Sequence, residues 1–172
     1  MIYEDFIMKK EKTLSGLAWG SAAILLLITA IHMIMILFPQ TVTEIYDAYP
    51  YITYEPIVKI IHIVIELRYV VIAVLAAISG IRRNFSLVWG TVTMVITAVV
   101  YLLPGRTGSA LITRFLARYG GAEMLGSYST MSSFTGSFSM LVTLAVWILI
   151  GCTAIEIYAS WKNKNQRSIG EF

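Results

Sequence analysis

Long apolar runs separated by short polar clusters dominate the chain. Residues 14–38 carry no Asp, Glu, Lys or Arg and stop at Pro39. A helix that crosses a bilayer needs about 20 mainly apolar residues, so this run reads as a span. A second run, 56–81, opens on Pro56, which suits the first turn of a helix because its missing N–H has no partner to lose there. It ends at Arg82 and Arg83. A third run, 85–103, stops at Pro104-Gly105, and a fourth, 137–161, gives way to the polar tail 162–172. Residues 1–13 precede the first run, with Lys9, Lys10 and Lys12 beside Glu4, Asp5 and Glu11. That run is too long for the apolar centre of a signal peptide and no small-x-small cleavage pattern follows it, so it reads as a retained helix.

Helical periodicity picks out one more element. Between Ser109 and Tyr119, residues Leu111, Ile112, Phe115, Leu116 and Tyr119 share one face and Arg114 and Arg118 the other. This is the pattern of a short amphipathic helix that lies on a membrane surface or caps a bundle. Gly120-Gly121 ends it. Residues 126–139, rich in Ser, Thr and Gly, read as loop ordered by a partner.

Composition agrees with the pattern. The chain is 58% hydrophobic and 13% charged, against roughly 45–50% and about 25% in soluble domains, so lipid has to cover the excess apolar surface. The mean hydropathy of +0.75 points the same way. The placement of basic residues sets orientation. Eight Lys/Arg lie in the N-terminal segment, the 82–83 turn and the tail, and four (Lys59, Arg106, Arg114, Arg118) lie on the opposite side. Trp19, Trp89 and Trp161 fall near the same basic ends, where amphipathic rings favour the interface. The expectation is a single all-α domain over residues 1–172, an integral protein of the cell membrane. It has four transmembrane helices in an up-down bundle, both termini cytoplasmic, and the short amphipathic helix in the second outer loop.

Ionisable residues inside a span are costly and tend to mark function. Four qualify: His32, His62, Glu66 and Arg68, while Glu156 sits near the inner end of the last run, within reach of headgroups. His32 and His62 are the two histidines of the chain. Counted from Pro39 and Pro56, each lies about 9–10 Å inside its helix end. Two imidazoles at one depth on sequential helices could ligate haem b from both sides, or hold a metal ion. Lys59, His62, Glu66 and Tyr69 recur at spacings of three and four and so share a helical face. A carboxylate one turn from an imidazole can orient it or join it in moving protons to or from a quinone. Arg68 points about 200° away from Glu66 around the helix and suits a partner subunit, a haem propionate or an anionic lipid. Thr93, Thr97 and Tyr101 form a weaker polar stripe on the third run, as do Thr143 and Trp147 on the fourth. Gly16-x-x-x-Gly20 is spaced for close helix approach.

The string His62-Ile-Val-Ile-Glu66 resembles the His-x-x-x-Glu of the sterol-isomerase group of four-helix membrane proteins. That resemblance implies a cation-stabilising pocket. It covers five residues; the string stands in the second helix here and in the first helix there, and the other acidic residues of that pocket have no counterparts.

Several classes fall away. There is no phosphate-binding loop, dinucleotide fingerprint, nucleophile elbow or zincin helix, and no C-x-x-C-H for covalent haem. The single Cys152 excludes an internal disulfide framework. Basic residues confined to membrane borders argue against nucleic-acid binding. The readings that remain are three. The first is an accessory subunit, without catalytic activity of its own, of a respiratory or other redox complex of the membrane, with other membrane subunits and lipid as partners. The second is a small b-type cytochrome or a quinone- or metal-binding anchor using His32 and His62. The third is a homo-oligomeric transporter or channel.

Overall fold

The computed structural model describes residues 2–38, 56–82, 86–102 and 109–169. They form six helices: α1 (Ile2–Leu37), α2 (Pro56–Ile81), α3 (Leu87–Leu102), α4 (Ser109–Tyr119), α5 (Gly121–Gly136) and α6 (Ser139–Ile169). The tyrosine-rich segment 39–55, Arg83, Pro104-Gly105 and Arg106 lie outside the described residues.

Three helices are long and apolar enough to cross a bilayer: Lys12–Leu37 within α1, Pro56–Ile81, and Ser139–Lys162 within α6. The third run appears as α3, an apolar helix of 16 residues. Its length of about 24 Å falls short of a hydrocarbon core of about 30 Å. Large apolar side chains face outward on every one of these helices, Leu27, Val64, Val88 and Met140 among them, as lipid-facing surfaces require.

Two boundaries differ from the sequence pattern. α1 begins at Ile2, because Glu, Met and Lys are good helix formers and the charged segment continues the helix without a breaker. Residues 126–139, expected as loop, are almost wholly helical, as the body of α5 and the start of α6. The Ser and Thr hydroxyls that favour turns bond back along the helix instead, Ser133 Oγ donating to the Ser129 carbonyl at 3.0 Å, and tertiary packing supplies the rest. Tyr128, one of the buried residues, packs with Leu116 of α4 and Val58 of α2. The break between α4 and α5 falls at the expected glycines. Gly121 has φ of 71°, a left-handed conformation that costs about 1–2 kcal/mol for a residue with a Cβ. α4 buries Leu116 but leaves Leu111, Phe115 and Tyr119 exposed.

α1 and α2 run antiparallel and pack along most of their length. Lipid offers no hydrophobic drive between helices, so small side chains that admit close approach matter most. Ala18, Ser21, Ala22, Ala73 and Ala76 are all buried. The tightest point is Gly80, where an added Cβ would fall 2.6 Å from Trp19 Cδ1. Beside it Ser15 Oγ donates to the Gly80 carbonyl. Gly16 and Gly20, by contrast, have nothing within 4 Å of an added Cβ. Close approach is made by Gly80 against Trp19, not by the glycine pair of α1.

α3 and α6 also run antiparallel, pinned at both ends. At one end Tyr101 Oη and Thr143 Oγ1 are 2.7 Å apart. At the other, the Ser86 N–H donates to Glu156 Oε1 at 3.0 Å, and Ser86 Oγ accepts the Trp89 N–H at 3.3 Å. Ser86 is therefore the N-cap of α3. In a capping box the residue three positions on returns a side-chain acceptor to the N-cap N–H. Trp89 stands at that position and cannot do so, and Glu156 of α6 takes the role from another helix. Glu156 was expected to reach headgroups; it is instead 9% exposed and bound to Ser86. Trp147, expected on one face with Thr143, is 62% exposed and faces outward.

Candidate functional site

Polar side chains of the first two long helices meet near the end of the bundle opposite Ser15, Gly80 and Glu156. The contacts set the register: Ser15 against Gly80 and, seventeen residues further along α1, His32 against Glu66. His32 Nδ1 lies 2.6 Å from Glu66 Oε2. Both residues are almost fully buried, at 1% and 3% exposure. At this distance the two atoms are hydrogen-bonded, and against a carboxylate oxygen the Nδ1–H is the donor.

Glu66 stands one turn from His62 on α2 yet bonds to the histidine of the other helix. A carboxylate four residues from an imidazole can meet it, but among the described hydrogen bonds none joins Glu66 to His62. His62 Nδ1–H donates to the Val58 carbonyl at 3.0 Å, its Nε2 lies 3.4 Å from Ser132 Oγ, and its ring packs 4.9 Å from that of Tyr128.

A cavity of about 200 Å³ joins these groups, and His32, His62, Glu66, Arg68 and Tyr69 all line it. Every residue singled out from the sequence as a site candidate is thus on one wall. Lys59, on the same face by spacing, is not part of the lining. Arg68 reaches the cavity although its Cα points away from Glu66. Its long side chain folds back over Tyr69, with Nη2 donating to Tyr69 Oη at 2.6 Å and Cζ 4.5 Å from the ring centre.

The opposite wall comes from residues the sequence pattern left in a loop: Tyr128, Ser132 and Thr135 of α5 and Ser139 at the start of α6, with Ser109 opening α4. Their signal was present. Positions 128, 132, 135 and 139 recur at three and four, the spacing of one helical face, but Ser, Thr and Gly composition masked it.

Two atoms in this site stand out. His32 Nε2 and Arg68 Nε are buried and have no hydrogen-bond partner among the described residues. Buried polar groups are nearly always satisfied, and an unsatisfied one calls for a ligand or water. Both histidines have Nδ1 tied down, by Glu66 or by a carbonyl, and present Nε2, the orientation found in metal-ligating histidines. Among the described residues, however, no three His, Cys, Asp or Glu side chains gather as a metal-holding group, and Glu66 is engaged by His32.

No protein family, curated protein or solved structure matches the chain. The site therefore has to be read from its own chemistry.

Proposed function

We propose that this is a four-span protein of the cell membrane, with both ends cytoplasmic, that binds a small hydrogen-bonding ligand in the outer half of its bundle and exchanges a proton with it through His32. The observation that carries this reading is His32 itself. One nitrogen is held by a buried carboxylate, the other is buried without a partner among the described residues, and the ring lines a ligand-sized cavity. An imidazole fixed in this way can offer Nε2 as acceptor or, in its cationic form, as donor, with Glu66 stabilising the cation. Quinone- and proton-handling sites use this chemistry. Haem b suits the site less well than a small ligand, because a second axial imidazole from His62 would have to give up its contact with Ser132 Oγ at 3.4 Å.

The four-span reading rests on α3, whose apolar run extends by sequence over 85–103, and on its Trp89 side chain. Trp89 Nε1 donates to Ser79 Oγ and Arg82 lies over its ring. That arrangement is typical of an interfacial anchor.

Mass spectrometry of small molecules extracted from the detergent-purified protein tests the ligand reading. A stoichiometric species in the wild type, lost in His32→Ala, is expected. An empty wild type whose melting temperature responds to no added quinone, acid or phosphate would sink it. An absorption spectrum checks haem in the same sample, and no Soret band is expected.

A second reading, a subunit of a larger membrane complex, is favoured by the exposed Leu111, Phe115 and Tyr119 of α4. That apolar face fits a neighbouring membrane subunit or the lipid interface. Partners recovered in fixed ratio, and lost when Phe115 is changed to Ser, would support the subunit over the lipid.

A further inference from the structure

Arg68 stands thirteenth in the 26-residue helix α2, about 18 Å along the axis from Pro56 and so near the middle of the span. A guanidinium at that depth needs a counter-charge. Glu66, the acid that shares its cavity, is engaged by His32 at 2.6 Å. Among the described residues, the contacts of Arg68 are with Tyr69, a neutral side chain: one hydrogen bond and one ring contact. Its Nε–H is buried without an acceptor among the described residues.

We propose that the ligand of this cavity carries an oxyanion, a carboxylate or a phosphate, and that Arg68 holds it. The inference rests on the ligand-binding reading above and adds the charge of the ligand. The donors support it. Tyr69 Oη accepts from Arg68, which leaves its own proton free to donate. In the ion-paired form, imidazolium against carboxylate, His32 Nε2 also bears a hydrogen and has no partner among the described residues. Ser109 and Ser139, each with a hydroxyl, line the same cavity. Donors around a fixed cation, with the nearest carboxylate already engaged, are the complement of an oxyanion, and arginine is the side chain whose fork matches one. The volume of about 200 Å³ would hold roughly six waters or a small aromatic acid in their place.

The anion can come from a dissolved acid or from a lipid phosphate, and one experiment separates these. Full-length protein in maltoside micelles is titrated with benzoate, with the isosteric neutral benzamide, and with inorganic phosphate, following tryptophan fluorescence and thermal unfolding. The same protein in phosphatidylcholine nanodiscs is compared with and without phosphatidic acid. Benzoate binding at least tenfold tighter than benzamide, or saturable phosphate binding, supports the proposal with a dissolved anion. Stabilisation by phosphatidic acid alone supports it with a lipid. In either case Arg68→Gln weakens the effect tenfold or more and Arg68→Lys restores part of it. The wild-type benzoate and benzamide pair decides the matter if those variants fail to fold. Equal binding of benzoate and benzamide, without a phosphate or phosphatidic acid effect, overturns the oxyanion and leaves the His32 site standing. An absence of binding in every arm overturns both.

Discussion

His32 Nδ1 lies 2.6 Å from Glu66 Oε2, and this contact joins α1 to α2 inside the apolar part of the bundle. Neither residue has another charged partner among the described hydrogen bonds. The pair is thus an interhelical clamp as well as the orienting element of the cavity.

Removing one member should leave the other buried and unmatched, at a cost of about 3 kcal/mol or more. Glu66→Ala is expected to lower the unfolding midpoint in detergent accordingly, while Glu66→Gln, which keeps an acceptor, loses less. A double-mutant cycle with His32→Ala should give a coupling energy of about 0.5–3 kcal/mol. Additive losses would show that the contact does not stabilise the bundle.

His62, one turn from Glu66 on α2, holds α5 through Ser132 and the ring of Tyr128. His62→Ala should therefore raise hydrogen exchange within residues 121–136 more than within α1. Uniform protection across both helices would mean that α5 docks through Tyr128, Val58 and Leu116 alone.

Glu156 completes the cap of α3 from α6. Ser86→Ala and Glu156→Ala should each cost about 1 kcal/mol, and together less than the sum, because each serves the same helix end. Glu156→Gln, still an acceptor, is expected near wild type. Measured unfolding midpoints that fall equally for Gln and Ala would point to the charge instead of the hydrogen bond.

Gly80 lets Trp19 lie against the α2 backbone. Gly80→Val should force the indole ring aside and cost about 1–3 kcal/mol, seen as a lower unfolding midpoint and a shifted tryptophan emission. Gly16→Val and Gly20→Val, where space is open, should change neither observable by much.

The membrane helices were legible because their signal is local. A run of apolar residues the length of a bilayer has few other fates in water or lipid, and Pro39, Pro56 and Pro104 mark where such runs stop or start. The short helix from Ser109 to Tyr119 was legible for a similar reason, its period of 3.6 being carried by eleven adjacent residues. α5 was not, because its composition argues for turns and its helicity depends on Tyr128 finding Val58 and Leu116.

The site divides in the same way. That His32, His62, Glu66, Arg68 and Tyr69 are worth attention follows from sequence alone, since ionisable side chains within a span carry an energetic cost that demands a reason. Which of them meet does not follow. The spacing of His62 and Glu66 suggests a pair within one helix. Only the packing of α1 on α2, with Ser15 at Gly80 and His32 at Glu66, brings that carboxylate to the histidine of the other helix. The offset of one helix along another is fixed by where small side chains admit close approach, at Ala22, Ala73, Ala76 and Gly80, and no distance counted along a single chain contains it.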